Sequence, residues 1–201
     1  MIYSVNLLNK AIFLDRDGVI NPDPGYIKSP SQIAPYPFAA QAIKIFNELG
    51  YKVIVVTNQS GIARGYFSLT DLDKIHAHLI SALAQGGAKI DKIYSAPYHI
   101  DGNVEPYNIL HEDRKPDIGM FKKACEDFNI NPAESYMIGD RLSDMIFAKN
   151  AGLSPILVLS GDGKADFRQR LKDFPQYQPQ FIAQDILATA FLIQNINNGF
   201  K

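Results

Sequence analysis

The sequence predicts an α/β fold, a parallel sheet with helices packed on both of its faces, and two patterns predict it. Short apolar runs without polar alternation recur along the chain, as in strands buried on both sides, and amphipathic segments at helical spacing separate them. Size agrees with this. The 201 residues, 46% hydrophobic and 20% charged, have the length of one ordinary domain with a sizeable core. Residues 1–201 are therefore expected to form a single domain, and disorder is excluded as the main state.

Taken in order, the apolar runs place strands at 11–14, 53–56, 136–138 and 156–159, with a weaker one at 90–94. The clearest helix is 70–85. Leu72, Ile75, Leu79 and Leu83 fall at helical spacing, Thr70 is a plausible N-cap, and Gly86 with Gly87 provides the stop. Further helices are expected at 38–49, 118–128, 142–150 and 184–194. Cys125, spaced at three and four residues from Phe128 and Phe121, reads as a small core residue and not as a nucleophile. His76 and His78 lie on nearly opposite faces of their helix, cannot share a metal, and read as solvated or rim residues. Gly161-Asp162-Gly163-Lys164 lacks the full phosphate-loop string and reads as a loop leading to the tail helix.

Composition narrows the function. Twenty Lys and Arg against twenty-one Asp and Glu give a formal net charge of −1, without the basic excess that binding a phosphate backbone favours, so no nucleic-acid partner is expected. A single cysteine excludes an intrachain disulfide and a four-cysteine zinc site and suits a reducing compartment, with the cytoplasm as the expectation. The amino-terminal stretch is interrupted by Asn6, Asn9 and Lys10, too short for a signal peptide or a membrane span, and no other stretch reaches spanning length. A soluble monomer without a membrane partner is the reading.

In such sheets ligands bind beyond the carboxyl ends of the strands. There the chain places Asp15-Arg16-Asp17-Gly18 after the first run, Thr57-Asn58-Gln59-Ser60-Gly61 after the second, and Gly139-Asp140-Arg141 at the end of the fourth, while Lys115 lies in a long irregular segment before the helix at 118–128. Asp15 and Asp17 share a side if the extended geometry persists past Leu14. Two carboxylates so close repel, and a divalent cation relieves the repulsion; hard oxygen ligands of this kind suit Mg²⁺, with Asp140 adding a carboxylate and Asp144, one helical turn on, supporting it. One aspartate is then free to attack phosphorus, and its partner two residues on to move protons. Lys115, Thr57 and Asn58 supply positive charge and donors for the phosphoryl oxygens.

These residues carry a resemblance. DRDG at 15–18, TNQSGIARGY at 57–66, DRKP at 113–116 and GDRLSD at 139–144 resemble, in order, the four motifs of haloacid dehalogenase (HAD) superfamily phosphatases. The match is most similar to the branch holding histidinol phosphatases and D-glycero-D-manno-heptose 1,7-bisphosphate phosphatases, and it spans about residues 10–159. The resemblance implies a Rossmann-like, three-layer α/β/α fold with strand order 5-4-1-2-3 and no large cap domain. It implies Asp15 as nucleophile, Asp17 as general acid/base, and Mg²⁺ held by the Asp15 carboxylate, the Asp17 backbone carbonyl and Asp140. Thr57 and Lys115 would stabilise the phosphoryl group. Substrate contacts are implied for Asp23, Pro24, Gly25 and Tyr26, for Asn58, Gln59 and Ser60, and for Arg114 and Arg141. Arg64 is added as a fork-shaped partner for a second anionic group.

The implied reaction is Mg²⁺-dependent hydrolysis of a small phosphorylated metabolite through an aspartyl phosphate. The favoured substrate is the 7-phosphate of D-glycero-D-manno-heptose 1,7-bisphosphate, on the route to ADP-heptose and the lipopolysaccharide core. Histidinol phosphate is the alternative within the class, and a catalytically inactive binding protein on the same fold is the alternative outside it. In one respect the chain departs from the branch. Where many members carry a cysteine-rich zinc loop, this chain reads Ala96-Pro97-Tyr98-His99 and His111-Glu112-Asp113-Arg114-Lys115-Pro116. His99, His111 and Asp113 are the remaining candidate ligands, and structural zinc, which takes four well-placed groups, is not expected. Pro97, Tyr98, Pro106, Tyr107, Ile109 and Leu110 are expected to bury a small core in its place, and the Pro-rich segment 22–37 to form a flap over the substrate.

Overall fold

A computed structural model of the chain describes residues 8–169 and 172–199. Six parallel strands, β1 (Ala11–Leu14), β2 (Lys52–Asn58), β3 (Lys92–Ala96), β4 (Tyr136–Gly139), β5 (Ser154–Val158) and β6 (Phe181–Ala183), form one sheet in the order β3-β2-β1-β4-β5-β6. The order expected for five strands is present, with β6 added at the β5 edge. β6 escapes sequence reading because it is three residues long and half exposed, without an apolar run of its own.

The helices are α1 (Ala39–Glu48), α2 (Leu69–Gln85), α3 (Gly119–Phe128), α4 (Leu142–Ala151), α5 (Gly163–Gln169) and α6 (Ile186–Asn197). Alternate strand residues divide between two cores, which is why the runs are apolar throughout. Ile12, Leu14, Val53, Val55 and Ile138 pack with Ala42, Ile43, Phe46, Ile75, Leu79 and Ile193 from α1, α2 and α6. Ala11, Phe13, Ile54, Val56 and Met137 pack with Met120, Phe121, Ala124, Phe147 and Ala148 from α3 and α4. Cys125 lies partly buried beside the second core, as expected of a small core residue.

The boundaries move for local reasons. α2 is capped by Ser68 and not by Thr70: its Oγ accepts from Asp71 N at 3.1 Å, and Asp71 Oδ2 accepts from Ser68 N at 3.0 Å. β3 starts two residues later than expected, and Gly163 and Lys164, expected as loop, open α5. Among the described residues no helix is long and apolar enough to cross a membrane.

Candidate active site

Register brings the motifs together. Leu14 pairs with both Val55 and Ile138, so the chain leaves β1, β2 and β4 at neighbouring positions on one sheet edge. Asp15 still donates its N–H to the Ile138 carbonyl at 3.0 Å, but the backbone then turns, and Gly18 N closes on Asn21 O at 2.7 Å. The extended geometry that would place Asp15 and Asp17 on one side thus ends at Leu14. Both nevertheless line one cavity of about 560 Å³. Asp23, Gly25, Tyr26, Thr57, Asn58, Gln59, Ser60, Arg114, Lys115 and Arg141 line it too, with Pro116, Leu142, Ser143 and Ile146, which sequence reading did not single out. Ser143 and Ile146 are three apart on the first turns of α4, a spacing that could have flagged them once GDRLSD was placed at a helix start.

At the core of the site Lys115 Nζ stands 3.1 Å from Asp15 Oδ1 and 2.7 Å from Asp144 Oδ1, all three groups buried. Burial alone would lower the Lys115 pKa, but Asp144 and Asp15 outweigh it, and the lysine is held above its ordinary value. Burial lifts the Asp15 carboxyl to about 6, with Lys115 opposing the rise and Asp144 and Asp17 adding to it. Asp140 is pushed up to about 8 by burial, then by Asp15 and Asp144. Asp15, Asp140 and Asp144 each offer an oxygen within 4.8 Å of the others, the one such group of three metal-ligating side chains among the described residues. Asp140 Oδ2 accepts from Asp162 N at 2.8 Å, whereas Asp140 Oδ1 is buried without a hydrogen-bond partner. An orphaned buried carboxylate oxygen within an all-oxygen donor set fits a hard divalent cation.

The Asp17 carboxylate, also at the cavity, is engaged by a separate set of donors. It accepts from Arg16 Nε at 2.9 Å and Arg16 Nη2 at 2.7 Å, from Asn21 Nδ2 at 2.8 Å and from Gln59 Nε2 at 3.1 Å. Gln59 also donates to Thr57 Oγ1 at 2.9 Å, tying the β2 end to the β1 turn. Asn58, expected as a donor to substrate, gives both amide atoms to the Lys115 backbone: Nδ2 donates to Lys115 O and Oδ1 accepts from Lys115 N, each at 3.0 Å. Its part is to fix the lysine. Asp144 likewise has two partners, since its Oδ2 accepts from Arg141 N at 3.1 Å and caps α4.

Around the rim, Arg141 Nη2 bridges Asp23 Oδ2 at 2.7 Å and Asp162 Oδ2 at 3.0 Å, and the Tyr26 ring meets Tyr66 edge-on at 4.6 Å. These two contacts hold Asp23 and Tyr26 at the cavity wall, whereas Ile27 and Ile33, farther along the 22–37 segment, are buried in the first core. Pro24 is exposed and, like Arg64, is not among the lining residues. Arg64 Nη2 lies 3.4 Å from the His99 ring nitrogens. Arg114 donates from Nη1 to Tyr98 O at 3.2 Å, and burial followed by Arg64 holds its pKa below the ordinary value.

Two expectations need correction. His76 is buried, with Nε2 3.3 Å from Arg16 Nη1, because its face of α2 closes over the β1 turn; His78 is exposed. In the segment 97–118, Ile109 and Leu110 are exposed, the latter at 78%, and do not join a small core. Order there comes from the aromatic members of the expected cluster, Tyr98 and Tyr107, whose ring centroids lie 6.0 Å apart, with Tyr98 also stacked on His111 at 3.8 Å and Tyr107 packed on Ile62, Phe67 and Leu72. His111 and Asp113 adjoin each other at 3.5 Å, and Asp113 Oδ2 also meets Lys123 Nζ at 2.6 Å.

The chain's likeness to known proteins centres on this architecture. A HAD-hydrolase-like family model matches residues 113–189. The D-glycero-β-D-manno-heptose-1,7-bisphosphate 7-phosphatase of Haemophilus ducreyi is 42% identical over 157 residues, 76% of this chain and 84% of that protein. The enzyme of the same name from Escherichia coli K12 is 39% identical over 153 residues, 75% of this chain and 80% of its own length. Among solved structures, the D,D-heptose 1,7-bisphosphate phosphatase of B. bronchiseptica, complexed with magnesium and phosphate, superposes with a TM-score of 0.81 at 33% identity, covering 93% of this chain and 99% of that one. That of Burkholderia thailandensis gives 0.67 at 30% identity over 92% and 99%.

Proposed function

The chain belongs to the family of D-glycero-β-D-manno-heptose-1,7-bisphosphate 7-phosphatases within the HAD-like hydrolases, and from that membership we propose that it hydrolyses the 7-phosphate of this sugar bisphosphate. One observation carries the reading: a nucleophile-bearing carboxylate, a buried lysine and an orphaned metal-ligating oxygen converge beside one cavity. The Asp15 carboxylate, still mostly ionised at neutral pH, forms a bond to phosphorus as the bond to the sugar oxygen breaks. Asp17 would take up a proton on Oδ2 in place of its contact with Gln59, give it to that oxygen, then take one from the water that cleaves the acyl phosphate and frees Asp15. Lys115 and Thr57 balance charge on the transferring oxygens. Asp15, Asp140 and the Asp17 carbonyl would hold Mg²⁺, with Asp144 in support; the ion supplies neutralisation of the phosphoryl charge.

The charge balance of the lining favours a bisphosphate. Lys115 is matched by Asp15 and Asp144, and Arg141 by Asp23 and Asp162, whereas Arg114 makes no ion pair with a carboxylate among the described residues. An unmatched guanidinium suits a second phosphate, not the ammonium of histidinol phosphate. Phosphate release with Mg²⁺ tests both levels. kcat/KM for the heptose bisphosphate is expected to exceed that for histidinol phosphate by about a hundredfold, or 2.7 kcal/mol. Asp15→Asn is expected to abolish turnover of both; turnover unchanged in that variant refutes the nucleophile, and no turnover of any phosphorylated metabolite by the native chain favours a binding role.

A further inference from the structure

The His76 imidazole does not face solvent but closes a line of polar contacts that ends in the cavity. Arg16 is 1% exposed, a cation enclosed by protein, and every branch of its guanidinium is placed: Nε and Nη2 on the two oxygens of Asp17, and Nη1 at 3.3 Å from His76 Nε2. A guanidinium only donates, so His76 Nε2 must be the bare, accepting nitrogen and the ring neutral. Burial followed by Arg16 favours that state, holding the imidazole pKa down near 4. A buried donor left without its acceptor is costly, so the imidazole fixes where the guanidinium stands, and a two-point Arg–carboxylate contact transmits position and plane together.

We propose that His76 is a positioning residue for the Asp17 carboxylate, acting through Arg16. This rests on the reading of Asp17 as the group that protonates the departing oxygen. His76 itself touches no reacting atom. Its neighbours on the buried face of α2, Leu72, Ile75 and Leu79, are apolar, and filling the core would need no imidazole. The nitrogen is explained by Arg16.

The test separates positioning from packing by leaving group. kcat/KM reports only through expulsion of the leaving group, which needs a proton for a sugar alkoxide and none for 2,4-dinitrophenolate. In the full-length chain with Mg²⁺, the ratio of kcat/KM for heptose bisphosphate to that for 2,4-dinitrophenyl phosphate is measured for native protein, His76→Leu, His76→Gln and Asp17→Asn. His76→Leu is expected to lower the ratio by about tenfold or more, and His76→Gln, whose amide oxygen can accept from Arg16, to return it to within about threefold of native. If the leucine variant does not fold, His76→Met makes the same comparison with a flexible apolar chain. An unchanged ratio in the apolar variant, or equal losses in the leucine and glutamine variants, overturns the inference. The underlying reading fails separately, if Asp17→Asn leaves the ratio unchanged.

Discussion

Gly18 is the position where one atom decides the site. Its φ is +81°, in the left-handed region, and a Cβ there would lie 2.2 Å from Asp140 Oδ2. Gly18→Ala is expected to cost about 1–3 kcal/mol of stability and to displace Asp140, lowering kcat/KM on the order of a hundredfold; urea unfolding and phosphate release measure the two effects. His76 makes a different prediction, about acid. Its imidazole takes a proton near 6.5 when unfolded but only near 4 in the fold, so between those values the unfolded chain binds more protons and stability falls as pH falls. Arg16 and Asp17 are the charged groups facing it, the first opposing protonation and the second favouring it. The separation of the two values corresponds to at most about 3 kcal/mol. Between pH 7 and 4.5 the urea midpoint of His76→Leu should therefore fall less than that of the native chain, and parallel curves would contradict it. Neither the role of His76 nor that of Asn58 was legible in the chain, because each depends on a partner, Arg16 or Lys115, about sixty residues away. Asp15, Asp17, Lys115 and Asp140 were legible because strand ends and motif spacing are local.

Strands buried on both faces announce themselves. β1, β2, β4 and β5 each contain or closely match an apolar run, since neither face can carry a charge. β6 has one half-exposed face and no such run, and it was invisible. Helix faces were equally readable, and the starts of α1, α3 and α4 lie within one residue of expectation, but the cap of α2 was not readable: Thr70 and Ser68 are both good caps, and only the reciprocal bonds with Asp71 choose between them. Ser68→Ala is therefore expected to cost about 1 kcal/mol in urea unfolding, against a few tenths for Thr70→Ala. The 97–118 segment follows the same logic. Of the cluster expected there, Tyr98 and Tyr107 do pack, on each other and on His111 and the Phe67 group, while Ile109 and Leu110 face water. Aromatic rings reach partners across a loop that short aliphatic side chains do not.

For the whole molecule, the site is a local cost that the two cores offset. Asp15, Asp140 and Asp144 crowd around a single lysine, an arrangement that favours cation binding over stability of the free protein. At pH 8.5 in a chelator, Asp140→Asn should raise stability by on the order of 1 kcal/mol; with Mg²⁺ in place of the chelator the variant should show no phosphatase activity, and the ion should raise the melting temperature of the native chain but not of the variant. A melting temperature moved neither by the substitution nor, in the native chain, by Mg²⁺ would contradict the charge argument. The sheet places Asp15, Thr57 and Asp140 at strand ends, but Lys115 and Arg114 arrive on the long connection between β3 and α3, moored to the sheet edge through the paired amide of Asn58. Heat should therefore silence the enzyme before it melts it: inactivation and the near-ultraviolet signal of Tyr98 and Tyr107 are expected to change several degrees below the loss of helical signal, so that resistance to warming is set by how this connection is held, through Asn58 and the Lys115 pairs with Asp15 and Asp144, and not by the depth of the core.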